Sequence, residues 1–243
     1  PLPSPNELSR IPNAHVIRHS NFDGSGLTDA HLASMKGWTN LMTIENDGSL
    51  ITDSGLRLLS QFPQLLSFQI PRLTLESIEI LSNTAPRLHY LTIWNSTITK
   101  EKIIHLNEMN ILGLHLQNCV FDPNENFEGV KLSTLERFTI QNYSGNSYDV
   151  PHTLFKDLAN VVEINLTNIR LDHEDFIALS QLKNLKTFIM YGYARFNEQD
   201  LLLMKDASLE TLEFQLVDLP ISDDVLNQLR ASGIQTVNYR KEQ

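Results

Sequence analysis

Nine hexapeptides recur along the chain at nearly constant spacing: LMTIEN, LLSFQI, LHYLTI, ILGLHL, LERFTI, VVEINL, LKTFIM, LETLEF and IQTVNY. Their first residues are Leu41, Leu65, Leu88, Ile111, Leu135, Val161, Leu185, Leu209 and Ile234, separated by 23 to 26 residues. All but the first follow L-x-x-L-x-L with apolar substitutes. A fixed period of this size makes the chain an array of one repeated unit, and everything else in the sequence is read within it. A weaker tenth copy, AHVIRH, is expected to start at Ala14, with Ile17 in the fourth place and a longer gap of 27 residues to the next copy.

In all copies but the first the fourth and sixth residues are both apolar and alternate with mostly polar ones, which is the two-residue period of a short strand with one face buried. A turn follows, and then a different period. LTDAHLASM, ITDSGLRLL, LTLESIEIL, ITKEKIIHL, LDHEDFIAL, FNEQDLLLM and ISDDVLNQL carry apolar residues three or four apart. Thr28, Thr52, Thr74, Thr99, Asp172, Asn197 and Ser222 stand where a helix start needs a capping oxygen. The unit is therefore strand, turn, short helix. Such a unit cannot cover its own apolar face, so successive units stack into a curved solenoid with a parallel sheet inside the curve and helices outside.

At this level the chain resembles the leucine-rich repeat family, and most nearly its cysteine-containing subclass, whose units read L-x-x-L-x-L-x-x-C-x-x-I-T-D-x-G-L. The stretches LITDSGLRLLSQFPQL, SGLTDAHLASMKGWTNL and LHLQNCVF carry the resemblance, which extends from about residue 14 to 243. It implies an α/β fold, a horseshoe of about ten short strands with convex helices, as a single domain over 14–243 preceded by a proline-rich linker or cap over 1–13. PLPSPNEL begins on proline and not methionine, so a processed chain or a piece of a longer one is expected.

Two departures from the family pattern stand out. The ninth position of the unit holds Ser49, Leu73, Ser96, Cys119, Tyr143, Ile169, Tyr193 and Val217, so no regular ladder of side-chain hydrogen bonds is expected there. FDPNENFEGVKLSTL lacks a helical pattern and reads as an irregular crossing of the convex side, as does much of YSGNSYDVPHTLF. One place before the ninth position stand Gly48, Arg72, Asn95, Asn118, Asn142, Asn168, Gly192 and Leu216. Most are Gly or Asn, the residues that accept a left-handed backbone at least cost, so the chain is expected to bend there.

The only cysteine, Cys119, follows His115 by four residues. In the stacked unit His115 projects to the concave surface while Cys119 points into the spine, so the pair reads as structural and not as a nucleophile with its base. His15 and His19 would share one face of a strand without the Cys, Asp or Glu that completes a zinc set, and read as polar residues of the end cap. DHED reads as a capping arrangement of Asp172 with Asp175, not as a metal site. DGSG around Gly24 reads as a turn. The acceptor tripeptides at Asn95, Asn142 and Asn165 arise easily by chance in an Asn-rich chain.

What remains is the concave face, formed by the third, fifth and seventh residues of each copy. Most are small or polar, including Thr43, Glu45 and Asp47 in the first. Tyr90, Trp94, His115 and Arg137 would instead cluster across three neighbouring strands. Aromatic and Arg side chains dominate interface energetics, so these residues with Gln117 and Gln141 form the expected partner-binding patch, and Tyr191 with Ile189 adds a second apolar spot to it.

Net charge is -10, which repels nucleic-acid phosphate and anionic lipid and suits a basic or neutral protein or peptide. No apolar stretch is long enough to cross a membrane as a helix. A single cysteine forms no internal disulfide and points to a reducing, cytoplasmic compartment. The expectation is a non-enzymatic scaffold that binds a protein or peptide on its concave sheet without a cofactor or metal. The family resemblance implies an alternative, the targeting domain of a larger protein such as a ubiquitin-ligase substrate receptor or a secreted bacterial effector, the latter working in a host cytoplasm.

Overall fold

The computed structural model describes residues 2–22, 26–46, 49–143, 148–192, 196–216 and 219–240. Asp47, Gly48, Tyr193, Val217 and the turn around Gly24 lie outside the described residues.

Ten strands form one parallel sheet in strict sequence order. They are β1 His19–Asn21, β2 Thr43–Glu45, β3 Ser67–Pro71, β4 Tyr90–Trp94 and β5 Gly113–Gln117, then β6 Arg137–Gln141, β7 Glu163–Thr167, β8 Thr187–Gly192, β9 Thr211–Leu216 and β10 Thr236–Tyr239. The register puts equivalent positions of the repeat opposite one another. Ile44, Phe68, Leu91, Leu114, Phe138, Ile164, Phe188, Leu212 and Val237, all fourth residues of their copies, face each other in successive pairs. All nine are buried, within a single hydrophobic cluster that also takes in the helices. Burial of a Leu- or Phe-sized side chain contributes about 1.5–3 kcal/mol, and no coil could obtain that alone.

The first copy begins at a different residue from the one expected. His19 pairs with Thr43, the third residue of its own copy, so the first copy starts at Ile17 and the step to Leu41 is 24 residues, not 27. Ser20 in the fourth place, where an aliphatic residue was sought, hid this register. His15 belongs to a 3-10 turn, Ala14–Val16, and only His19 to the strand, so the two histidines do not share a strand face. Ahead of them α1, Pro5–Leu8, is closed by a capping box of Ser4 with Glu7, and Leu8 is buried.

All seven expected caps occupy N-cap positions. α2 (Asp29–Ser34), α3 (Asp53–Arg57), α4 (Leu75–Thr84) and α5 (Lys100–Glu108) follow Thr28, Thr52, Thr74 and Thr99. After Asp172, Asn197 and Ser222 come His173–Ser180, a 3-10 helix at Glu198–Asp206, and Asp223–Ala231. FNEQDLLLM thus winds more tightly than an α-helix; the two buried residues of the 3-10 helix, Leu201 and Met204, are three apart, as three residues per turn requires.

Between Phe121 and Arg137 there is neither helix nor strand, as the sequence indicates, and Phe127, Val130 and Leu132 fill the space a helix would occupy. The Phe127 ring meets Phe121 edge-on, with centroids 5.4 Å apart. The next crossing is more regular than expected, because His152–Lys156 forms a short helix that buries Leu154 and Phe155.

The bend before the ninth position is left-handed at Asn95, Asn118, Asn168 and Gly192, and also at Arg72, where the residue type gave no hint of it, but not at Asn142. Two small parallel ladders follow the bends, Thr97–Ile98 with Val120–Phe121 and Tyr148–Asp149 with Ile169–Arg170.

Side chains add ties between coils. Asn40, Asn160 and Asn184, each just before the first residue of a copy, donate from Nδ2 to a carbonyl of the preceding coil, at His15, Ser133 and Ala159. On the convex side the Asp29 carboxylate accepts from both the N–H and the hydroxyl of Thr52, at 2.9 and 2.5 Å. Glu198 does the same for Ser222, at 2.7 and 3.1 Å. A carboxylate one coil back thus supports the capping residue of the next helix.

Candidate functional site

The helices and spine leave the sheet's other face open, and the expected patch residues fall there in three groups. Tyr90 is the first residue of β4 and pairs with Gly113 of β5. Its ring covers that glycine: a Cβ at Gly113 would lie 2.5 Å from Tyr90 Cδ1. Tyr90 is nevertheless 39% exposed, so its other face meets solvent. With Gly113, His115, Arg137 and Thr139 it lines a shallow depression of about 170 Å³ in the concave surface.

His115 is fixed from its far side. Its Nε2 lies 3.0 Å from Gln141 Oε1, which also accepts from the Tyr143 hydroxyl at 2.8 Å. An amide oxygen can only accept, so Nε2 carries the proton and Nδ1 of the neutral ring is an acceptor. Burial holds the His115 pKa below the ordinary histidine value, against the opposing pull of the Gln141 bond. The exposed Arg137 guanidinium stands 3.8 Å from Glu163 on the next strand, an ion pair weak enough to open to a partner. Gln117, half-buried, lies in register between Trp94 and Gln141.

Trp94 belongs elsewhere. It lines a larger hollow of about 660 Å³ at the carboxyl ends of β2 to β4, with Asn46, Leu50, Ile70, Pro71 and Arg72. Tyr191 is separate again, on β8, where its hydroxyl donates to Glu213 at 2.7 Å and that bond raises its pKa. The four residues expected to cluster thus divide into a depression at Tyr90, His115 and Arg137 and a hollow at Trp94, while Tyr191, expected as a second spot, is a tethered tyrosine. The sequence reading missed Glu163, Tyr143 and the whole Trp94 hollow except Trp94 itself. A glycine in the third place of the fifth coil, where other copies carry His, Thr, Ser, Tyr, Arg or Glu, was the available sign of the Tyr90 arrangement.

Cys119 is 3% exposed, and its Sγ faces the carbonyls of Ile93 at 3.4 Å and Gln117 at 3.5 Å. Burial pushes its pKa up to about 11, so it is a thiol at neutral pH. At the equivalent place one coil earlier, Ser96 Oγ accepts from Leu73 N–H at 2.7 Å and donates to Trp94 O at 2.9 Å. Cys119 therefore does within the spine what Ser96 does, while His115 turns to Gln141. Asp172 and Asp175 form the expected capping box. Asn142 is 1% exposed, which closes that glycan-acceptor tripeptide in the folded chain.

No helix among the described residues is long and apolar enough to cross a membrane. A scan of family models finds none that matches the chain, and no curated protein matches it. Among solved structures, the crystal structure of an internalin (inlF) from Listeria monocytogenes is similar over 99% of this chain and 76% of that one, at 15% identity and a TM-score of 0.52. A TLR13–ssRNA13 complex aligns with 92% of this chain and 41% of its own, at 14% identity and a TM-score of 0.42, too remote to bear on the argument. The internalin likeness concerns the fold. With the ten-stranded parallel sheet and its flanking helices, the chain is an α/β leucine-rich repeat solenoid.

Proposed function

We propose that this chain is a non-enzymatic interaction module that holds a protein or peptide on its concave sheet, with the contact centred on Tyr90, His115 and Arg137. The observation that carries the reading is the ring of Tyr90 laid over Gly113 with 39% of the residue exposed. An aromatic side chain immobilised before binding loses little entropy on contact, and with a neighbouring guanidinium it supplies the residue types that anchor interfaces. Gln117, Gln141 and the more distant Tyr191 extend the contact along the sheet. A net charge of -10 favours a partner that is basic or neutral as a whole.

Catalysis has little to work with at the one Cys/His pair, since the thiol is buried and the imidazole is engaged by Gln141. The buried Cys119 also agrees with a reducing, cytoplasmic setting. Ser49, Ser96 and Cys119, small polar groups turned inward at the ninth position, support the cysteine-containing subclass. Residues 14–243 are read as one unit and 1–13 as its cap.

The test is capture of a partner from native extract. Tyr90→Ala with Trp94→Ala should abolish capture while thermal unfolding stays almost unchanged. Equal capture by the double variant rejects the patch. The alternative, a targeting domain of a ubiquitin-ligase receptor or of a secreted bacterial effector, rests on the family resemblance. An adaptor-binding motif or a secretion signal in the full reading frame decides between these two.

A further inference from the structure

Unlike the Tyr90 depression, the hollow beside Trp94 contains unpaired polar groups. It spans three coils at the carboxyl ends of the strands. Asn46 follows β2, Ile70 and Pro71 close β3, and Trp94 closes β4. Asn46 is 2% exposed, its backbone N–H donates to Gln69 Oε1 at 3.1 Å, and among the described residues neither its Oδ1 nor its Nδ2 has a hydrogen-bond partner. The Trp94 Nε1–H is also buried without an acceptor. Unpaired buried groups of this kind are rare in native proteins, and two on residues that line one hollow point to a ligand that completes them as the side chains, now closed to solvent, turn toward it. Arg72 stands at the rim on a left-handed backbone, exposed, with no ion pair among the described residues. Leu50, 66% exposed, adds an apolar wall beside Ile70 and Pro71.

These groups define the occupant. An amide lacking both a donor and an acceptor partner is matched by a peptide group, which offers one of each. The indole N–H wants a carbonyl oxygen. The apolar walls want an aliphatic side chain, and the unpaired guanidinium wants a carboxylate, which Arg binds through two parallel bonds. We infer that the Trp94 hollow receives an extended segment of a partner protein carrying an aliphatic residue followed by Glu or Asp, with its carboxylate on Arg72 and its backbone on Asn46 and Trp94 Nε1. The inference rests on the reading of the concave face as a binding face and adds the chemistry of one stretch of the partner. A single acidic residue does not conflict with a partner that is basic or neutral as a whole, because Arg72 is a local cation in an acidic molecule.

The experiment is a titration of the isotope-labelled chain with three capped tetrapeptides, acetyl-Ser-Leu-Glu-Ser-amide and its Gln and Lys counterparts. The readout is the NMR signals of the Trp94 indole N–H and the Asn46 side-chain amide; the other tryptophan, Trp38, is buried in the core. The Glu peptide should shift both signals at about a tenfold lower concentration than the Gln peptide, and the Lys peptide should fail. Arg72→Asn, which keeps a residue tolerant of the left-handed backbone, should erase the preference for Glu, as should high salt with the unaltered chain. Equal responses to Glu and Gln, or a preference that survives both treatments, overturn the inference. A captured partner that perturbs Tyr90 and His115 but leaves Asn46 and Trp94 unmoved also overturns it, while leaving the concave reading intact. Shifts at Asn46 and Trp94 without any capture at Tyr90 would uphold the hollow and reject that reading.

Discussion

The ring of Tyr90 occupies the space above Gly113, with Cδ1 2.5 Å from where a Cβ on that glycine would stand. Gly113 does not have a positive φ, so alanine there suits the backbone and restricts the unfolded chain. The Gly113→Ala variant should therefore unfold within about 1 kcal/mol of the parent, since the half-exposed Tyr90 ring can swing aside. Partner capture should nonetheless fall as far as it does in Tyr90→Ala. Thermal unfolding and a binding assay on the same preparations check both halves.

Asp29 joins two coils by accepting from Thr52 N–H and Oγ1, and it packs so closely that a Cβ on Gly55 would lie 2.0 Å from its Oδ1. Asp29→Ala should cost about 1–2 kcal/mol, the usual loss for charge-assisted bonds at a helix start. Gly55→Ala should lose a comparable amount by displacing the same carboxylate. Urea midpoints at unchanged m would register each effect.

Asp175 gives the fold a pH dependence. Burial, with Asp172 and Asp149 nearby, pushes its pKa from 3.8 up to about 7, against the lowering effect of the Asp172 N–H; Arg170 lines a small separate hollow with these three carboxylates. The native chain then holds a proton that the unfolded chain releases near pH 4, so this contribution is complete below about pH 4 and is lost as pH rises toward 7. At 1.36 kcal/mol per unit the loss is at most about 4 kcal/mol. Asp175→Asn, which can still accept from Asp172 N–H, should flatten the Tm profile between pH 4 and 7. A profile as steep as the parent's would contradict the assignment.

Cys119 should resist thiol reagents. A pKa raised from 9.0 to about 11 lowers the thiolate fraction at pH 8 about a hundredfold, and burial slows access further. In the folded chain a colorimetric disulfide reagent should react more than a hundredfold slower than in denaturant, and rapid reaction would place the thiol at the surface.

The seven capping residues and the alternation of strand residues were legible because both depend on short-range chemistry: an oxygen three residues before an amide, a side chain turned inward at every second place. The left-handed bends at Asn95, Asn118, Asn168 and Gly192 were legible for the same reason, and Arg72 was not, because nothing local favours that conformation in arginine. The register of the first coil failed where Ser20 replaced an aliphatic residue, and the pairing of His19 with Thr43 corrected it.

By itself the sequence determined the period, the buried face and the helix starts, since each is a property of one unit repeated along the chain. Only the tertiary structure decided that Tyr90 lies on Gly113, that Gln141 orients His115, and that Asn46 and Trp94 border one hollow. Those relationships join residues 23 to 48 positions apart, one or two coils away, and depend on which way each side chain leans across the sheet. A repeat pattern specifies which face a residue takes, but the packing of neighbouring coils sets what it touches.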